Sequence, residues 1–309
     1  MRKSANDIVL QEIKVNASAE LLQFLEAQKV RKSRNAIKSL LAHKQVNVNG
    51  KLATQFNMPL KPGDTVRIMK FNQEKKQNKL KGLTIEFEDD YLIVINKDAG
   101  TLSVSTDKEK TRTVYNVLSE HVKKKKKFAR VYVLHRLDRE VSGLMVFAKS
   151  EDIQLLYQTS WDKLVPLYNY IAVVEGTPAP ANGTVKSWLT EDKNYVMRAS
   201  GTDNGGLESI THYKTIKTND QYSLLSFRLE TRRKNQLRAQ MRQIGHPVVG
   251  DKKYGATENP LKRIALHVQD MILIHPVSGQ KIEFNCSIPK AMQRLLDAKK
   301  DETSNKLTK

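Results

Sequence analysis

The sequence predicts an α+β protein in two parts, a small α/β module followed by a larger unit built on a mixed, mainly antiparallel sheet with helices and a central cleft. Three observations carry this. Residues 18–71 pass from a helical apolar pattern to strand-like alternation, residues 72–82 show no apolar periodicity, and residues 83–297 hold strand-like runs separated by turn residues and broken by a few helices. Residues 1–17 read as a polar lead-in, 72–82 as a linker and 298–309 as a lysine-rich polar tail.

In the small module, Leu21, Leu22 and Leu25 mark one helix, and Ile37, Leu40 and Leu41 mark a second that starts near Ser33, a suitable N-cap. Arg34 and Lys38 are four residues apart on that second helix and share a face away from its apolar one. Val46 and Val48 alternate as a strand, and Asn49-Gly50 supplies the left-handed pair of a tight hairpin. Gly63-Asp64 opens the last strand, with Val66 and Ile68 inward.

Composition narrows the function. Lys and Arg total 53 against 33 Asp and Glu, a net charge of +20, which points to a polyanionic partner because phosphate neutralisation releases counterions. No apolar segment is long enough to span a bilayer and no basic amphipathic anchor is evident, which argues against a membrane partner. Cys286 is the only cysteine, which excludes an internal disulfide and fits a reducing compartment. The apolar run after Met1–Asp7 is too short for a secretory signal, so the cytoplasm is the expected location. The seven histidines lack metal-ligand spacing, and neither a P-loop nor a dinucleotide fingerprint is present; no metal and no cofactor are expected.

The segment Leu134-His135-Arg136-Leu137-Asp138-Arg139-Glu140-Val141-Ser142-Gly143 sets one carboxylate among cationic side chains. Apolar runs flank it, Val131 to Leu134 before and Leu144 to Ala148 after, so it reads as a turn between two buried strands. Neighbouring positive charge favours the ionised form of Asp138, which suits attack on a sugar or proton abstraction; a structural Arg–Asp pair is the plainer alternative. Further on, a strand over Ser223–Glu230 leads to a helix from about Lys234 to Ile244. Leu237, Met241 and Ile244 form its buried stripe, and Lys234, Arg238 and Arg242 fall on an adjacent face. Lys123 to Lys127 are placed in a loop, either solvated or following a nucleic-acid backbone.

Two resemblances sharpen these readings. Lys32-Ser33-Arg34, Val46-Asn47-Val48-Asn49-Gly50 and Leu60-Lys61-Pro62-Gly63-Asp64 resemble the S4 RNA-binding domain, with Gln45 where that family usually has glycine. This implies Arg31, Lys32, Arg34 and Lys38 as contacts to an RNA backbone, which position rather than specify. Four segments of the larger part resemble the RluA-type pseudouridine synthases: Glu88 to Gly100, the Asp138 segment, Tyr170 to Gly176, and Leu229 to Arg238 with its continuation through Gly245–Asp251 and Tyr254-Gly255. Departures are Asp98 for a usual proline, Val141 for threonine, Tyr168 for lysine, Arg232 for glycine and Asn235 for histidine.

The resemblance implies isomerisation of uridine to pseudouridine in structured RNA. Asp138 takes the place of the catalytic carboxylate, which either attacks C1′ or removes a proton from C2′. Arg136 takes that of the arginine that fills the stack when the base is flipped, Tyr170 that of the catalytic tyrosine, packed on the uracil or also serving through its hydroxyl in removal of the C5 proton, and Arg238 that of the basic partner of the aspartate. Arg242 is left to meet phosphate. Ribosomal RNA of the large-subunit type stands ahead of transfer RNA as substrate, and no obligatory protein partner is implied. The rival is a non-catalytic RNA-binding or ribosome-assembly factor on the same fold; the presence together of Arg136, Asp138, Tyr170 and Arg238 argues against it. An RNA glycosidase or nuclease would need a second carboxylate or metal ligands.

Overall fold

Apolar residues at helical spacing, then at alternate positions, build the N-terminal part around its own core. The computed structural model describes residues 9–31, 33–42, 45–69, 78–107 and 109–297. It divides into two units: Met1–Lys76 with Thr159–Leu164 and Leu273–Ile282, and Gln77–Gln158 with Val165–Ile272 and Glu283–Lys309. The N-terminal part of the first contains β1 (Val9–Lys14), β2 (Ala19–Glu20), α1 (Leu21–Ala27), α2 (Arg34–Ala42), β3 (Val46–Val48), β4 (Lys51–Leu52), β5 (Pro59–Leu60) and β6 (Thr65–Met69). Four of these strands form an antiparallel sheet in the order β1-β6-β3-β4, and β2 pairs with β5. Leu21, Leu25, Ile37, Leu40, Leu41, Val46, Val66 and Ile68 are buried together. The Ser33 hydroxyl accepts the Ala36 N–H at 3.2 Å, the cap expected at the start of α2. Asn49 and Gly50 take φ values of 51° and 83°, the left-handed pair that turns β3 into β4.

The lead-in is corrected from Val9 onward. Residues Val9–Lys14 form β1, whose mostly exposed side chains are held through its backbone ladder to β6. A strand that buries almost nothing leaves no apolar signal in its sequence.

The remaining elements are β7 (Asn78–Leu80), β8 (Leu83–Glu88), β9 (Leu92–Lys97), α3 (Val114–Lys125), β10 (Tyr132–Val133), β11 (Ser142–Ala148), α4 (Glu151–Thr159), α5 (Trp161–Leu164) and β12 (Leu167–Glu175). They continue with β13 (Asn182–Glu191), β14 (Met197–Ser200), β15 (Leu207–Thr218), β16 (Tyr222–Leu229), α6 (Gln236–Gln243), β17 (Leu266–Ile274), β18 (Lys281–Asn285) and α7 (Lys290–Asp297). A twelve-stranded sheet runs β14-β13-β15-β16-β12-β17-β11-β9-β8-β7, with β10 on β11 and β18 on β17. Every residue of β11 is buried, which explains the unbroken apolar run after Gly143, whereas β8 buries only alternate residues, Leu83, Ile85 and Phe87.

Two further expectations change. The end of the linker is strand β7, paired with β8; the rest of the linker, 72–77, lies outside the described residues, as does the tail, 298–309. Lys123 to Lys125 belong to α3 rather than to a loop. Thr113 caps that helix by accepting the Asn116 N–H, and its basic last turn complements the helix dipole. Lys125 also pairs with Glu88 at 2.8 Å.

The sheet is mixed because β11 and β17 run parallel, meeting at Ser142–His267 and Gly143–Val268. That contact needs glycine. Gly143 has a φ of 118°, and a Cβ there would lie 2.2 Å from the Val268 oxygen and 2.4 Å from its nitrogen. Backbone cannot yield as a flexible side chain would. Gly143→Ala is therefore expected to lose more than about 3 kcal/mol of stability, read as a lower urea midpoint; a wild-type midpoint would show that the strands do not approach in this way.

Candidate active site

The turn between β10 and β11 is tied down on the side facing β9. Ser103 donates to the Leu137 carbonyl at 2.7 Å and accepts the Leu137 N–H at 3.1 Å, clasping the residue before Asp138. The Gly100 N–H reaches the Arg139 carbonyl at 2.8 Å, and the Arg139 Nε returns to the Gly100 carbonyl at 3.1 Å. Beneath them Lys97 is fully buried, with Nζ donating to the carbonyls of Asp98, Thr101 and Arg139 at 3.1, 2.7 and 3.1 Å. Burial, helped by the charge of Arg263, pushes its pKa down to about 8, yet the three bonds use every ammonium proton. Both residues flanking Asp138 are thus fixed through their backbones.

The carboxylate itself is held from the other side, by the start of α6. Asp138 Oδ2 accepts from Asn235 Nδ2 at 2.6 Å and from Arg238 Nη1 at 2.8 Å. Oδ1 makes no hydrogen bond among the described residues, and the side chain is 43% exposed. Arg238 is clamped in turn: its Nε and Nη2 grip the two oxygens of buried Asp251 at 2.6 and 2.8 Å, and its Cζ lies 4.8 Å from the centre of the Tyr254 ring. Burial works against the Arg238 charge, but the bonds to Asp251 and the charge of Asp138 outweigh it and raise its pKa. Removing one member of such a buried, bidentate pair typically costs about 3–5 kcal/mol. Asn235 is fixed as well. It adopts a left-handed φ of 49° before α6, and its Oδ1 accepts the Tyr254 hydroxyl at 3.2 Å.

The structure brings Asp138 and Arg238 into contact and places Tyr170 on β12, where the register against β17 slips between Asn169 and Tyr170. Such bulges re-aim side chains beside functional sites. Tyr170 stands edge-on to Tyr168, with centroids 5.3 Å apart, and Tyr168 edge-on to His135 at 5.1 Å. Burial raises the Tyr170 pKa, a shift the Arg232 charge opposes and the Asp138 charge supports, so its hydroxyl keeps its proton. Arg136 is exposed and makes no hydrogen bond or ion pair among the described residues.

The other basic residues lie elsewhere. Arg242 is exposed one turn beyond Arg238. In the small unit Arg34 and Lys38 are exposed, Arg34 at 3.3 Å from Glu26 and Lys38 at 6.0 Å from the Phe56 ring centre. Arg31 is half-buried with its guanidinium on the Val30 carbonyl, and burial lowers its pKa. Lys32 lies outside the described residues.

Helix α6 also corrects the sequence reading. In place of one apolar stripe, Gln236 to Met241 are all buried, because Gln236 and Gln240 satisfy their amides inside the fold. Gln240 alone takes the Thr211 hydroxyl at 2.6 Å and donates to Ser187 and to the Val185 and Ser209 carbonyls. Asn235, Asp251, Tyr254 and Lys97 were assigned no role from sequence. The one available signal was Asn235, which departs from the motif at the position that proves to touch Asp138.

Comparison with known proteins agrees with this architecture. The family model described as RNA pseudouridylate synthase matches residues 91–243, and that of the S4 domain matches residues 21–66. The uncharacterized RNA pseudouridine synthase YhcT of Bacillus subtilis (strain 168) is 30% identical over 267 residues, covering 85% of this chain and 88% of the relative. Ribosomal large subunit pseudouridine synthase D of Zymomonas mobilis is 33% identical over 227 residues, covering 69% and 71%. The solved human RNA pseudouridylate synthase domain containing 4 superposes with a TM-score of 0.57 at 22% identity, over 69% of this chain and 91% of that one, a likeness of fold.

The histidine under this site sets a pH dependence. His135 Nε2 accepts the Val146 N–H at 3.1 Å, so the ring proton sits on Nδ1, facing the Tyr168 hydroxyl, which donates to the Leu144 carbonyl. Desolvation, with the Arg232 charge, pushes its pKa from the usual 6.5 to about 3. Between those values the unfolded chain binds the proton and the folded chain does not, so stability falls as pH drops below about 6.5. Urea midpoints from pH 7 to pH 4 should decline more steeply for the wild type than for His135→Gln; parallel declines would mean that this histidine is not buried neutral.

Proposed function

The chain belongs to the RNA pseudouridine synthase family of isomerases, RluA type, and from that premise we propose that it isomerises a specific uridine in large-subunit ribosomal RNA with Asp138 as the catalytic carboxylate. The net charge of +20, the S4 match and the names of its relatives support an RNA of that class. In this reading residues 18–71 dock the RNA, 72–82 link, and 83–297 carry the chemistry, with Arg31, Lys32, Arg34 and Lys38 on the backbone of the bound RNA and Arg242 on a phosphate nearer the site.

The observation that carries the proposal is the asymmetry of the Asp138 carboxylate. Two donors hold Oδ2 and fix the rotamer, while Oδ1, unbonded among the described residues on a side chain 43% exposed, is left for the ribose. Either route needs such an oxygen: attack on C1′ would displace N1 of uracil and form an ester, and removal of the C2′ proton would drive the same C–N cleavage by elimination. The freed uracil anion then turns and C5 bonds to C1′, in the first route displacing the Asp138 carboxylate from its ester and in the second with Asp138 returning the proton to C2′; the C5 proton then leaves and N1 gains one. Tyr170 keeps its hydroxyl proton and lies close enough to Asp138 to feel its charge, which suits a ring that packs on the uracil and holds it while it turns. Arg136, exposed and uncommitted two residues before Asp138, has the planar, permanently charged head that replaces a flipped base in the stack.

Asp138→Asn keeps the shape and removes the charge. On an unmodified large-subunit ribosomal RNA transcript it should lower pseudouridine formation by more than about 10³-fold while leaving RNA affinity unchanged. Product formation by the variant at the wild-type rate would defeat the assignment, and a wild type that binds the transcript but forms no product would favour a non-catalytic RNA-binding protein.

A further inference from the structure

Next to the start of α6, where Asn235 holds Asp138, the turn between β13 and β14 lifts an aromatic ring into solvent, close to Lys234. Tyr195 is 72% exposed and has a left-handed φ of 57°. A single exposed aromatic is ordinary on a protein surface; what distinguishes this one is how firmly it is held and what surrounds it. Asp192 Oδ1 accepts the N–H groups of Asn194 and Val196, both at 2.9 Å, and the Tyr195 N–H reaches the Asp192 carbonyl at 2.9 Å. Lys253 Nζ donates to the Tyr195 carbonyl at 2.9 Å, and Lys234 Nζ lies 5.9 Å from the ring centre. The two acids of the turn are paired, Glu191 with Lys234 and Asp192 with Arg198, so Lys253, which donates to a carbonyl, and exposed Lys193 leave the turn with surplus positive charge. A free loop would carry its ring through many positions, and the braced backbone here fixes where this ring projects.

The turn is also coupled to the active site. Leu189, Met197, Ala239 and Tyr254 pack together, which seats the hairpin on α6. The Met197 N–H donates to the Tyr254 hydroxyl, that hydroxyl to Asn235, and the Asn235 amide to Asp138, at 3.2, 3.2 and 2.6 Å. Lys234, beside the ring, is the chain neighbour of Asn235.

We infer that Tyr195, with Lys234 and Lys253, is a stacking platform for an unpaired nucleobase that flanks the target uridine. An aromatic face accepts any base, and adjacent ammonium groups meet the phosphates on either side of it. The inference rests on the reading of the chain as an RNA uridine isomerase, and deepens it by assigning a neighbour of the target to a fixed place. It makes Tyr195 a substrate-binding residue.

The test compares wild type, Tyr195→Ala and Tyr195→Trp on an unmodified large-subunit ribosomal RNA transcript, measuring pseudouridine formation and, separately, the dissociation constant. Because the ring is exposed, both variants should fold as the wild type does. Loss of the ring should raise KM and Kd about tenfold with a much smaller change in kcat, and tryptophan should restore both. Wild-type binding by the alanine variant, a loss confined to kcat, or tryptophan no better than alanine would overturn the inference. If the wild type binds the transcript but forms no product, the isomerase reading fails, while the Kd series still decides for or against the platform.

Discussion

Everything at this site depends on one guanidinium shared by two carboxylates. Asp251, buried, takes two parallel bonds from Arg238 and so decides where the remaining nitrogen points; that nitrogen meets Asp138, which is half in solvent. A buried arginine with a single exposed partner would be costly to desolvate, and an aspartate with no fixed partner would sample several rotamers. The bidentate pair settles both problems, since its planar fork has one geometry. Tyr254 covers the guanidinium and anchors Asn235, so the second donor to Asp138 is set by the same group. The Asp138 carboxylate is therefore positioned by atoms that themselves have nowhere else to go.

The sheet supplies the other half of the geometry. Asp138 lies just before β11, at the end of the strand that runs parallel to β17, and β12 on the far side of β17 carries Tyr170. Two strands entering in the same direction leave their ends open on one side, where no hairpin closes them. Gly143 permits that close approach, and Ser142 beside it bonds His267 at 2.9 Å and Arg263 at 3.0 Å. Lys97, under the Asp138 turn, ties this edge to β9. The Asp138 turn is thus held rigidly on both sides, which the proposed chemistry needs, because small misplacements are costly in rate.

Much of this was legible in the chain. The buried strand after Gly143, the cap at Ser33, the Asn49-Gly50 hairpin and the helix bearing Arg238 follow from local patterns, and local patterns report local structure. Strand β1 was missed because its side chains face water and its stability comes from the ladder to β6. The end of α3 was missed because a lysine run looks the same on a solvated helix as in a loop. Asp251, Tyr254 and Lys97 were missed for a different reason: their importance lies in what they touch across the fold, and spacing in sequence does not record it. Gln240 is the clearest case, a polar helix residue outside the apolar stripe, whose amide bonds inside the core.

The most direct test of the shared guanidinium is Arg238→Lys, which keeps the charge and removes the fork. Single-turnover pseudouridine formation on bound large-subunit ribosomal RNA transcript should slow by at least about 100-fold, because one ammonium cannot grip Asp251 and also hold Asp138. A variant that folds and reacts at the wild-type rate would contradict the account.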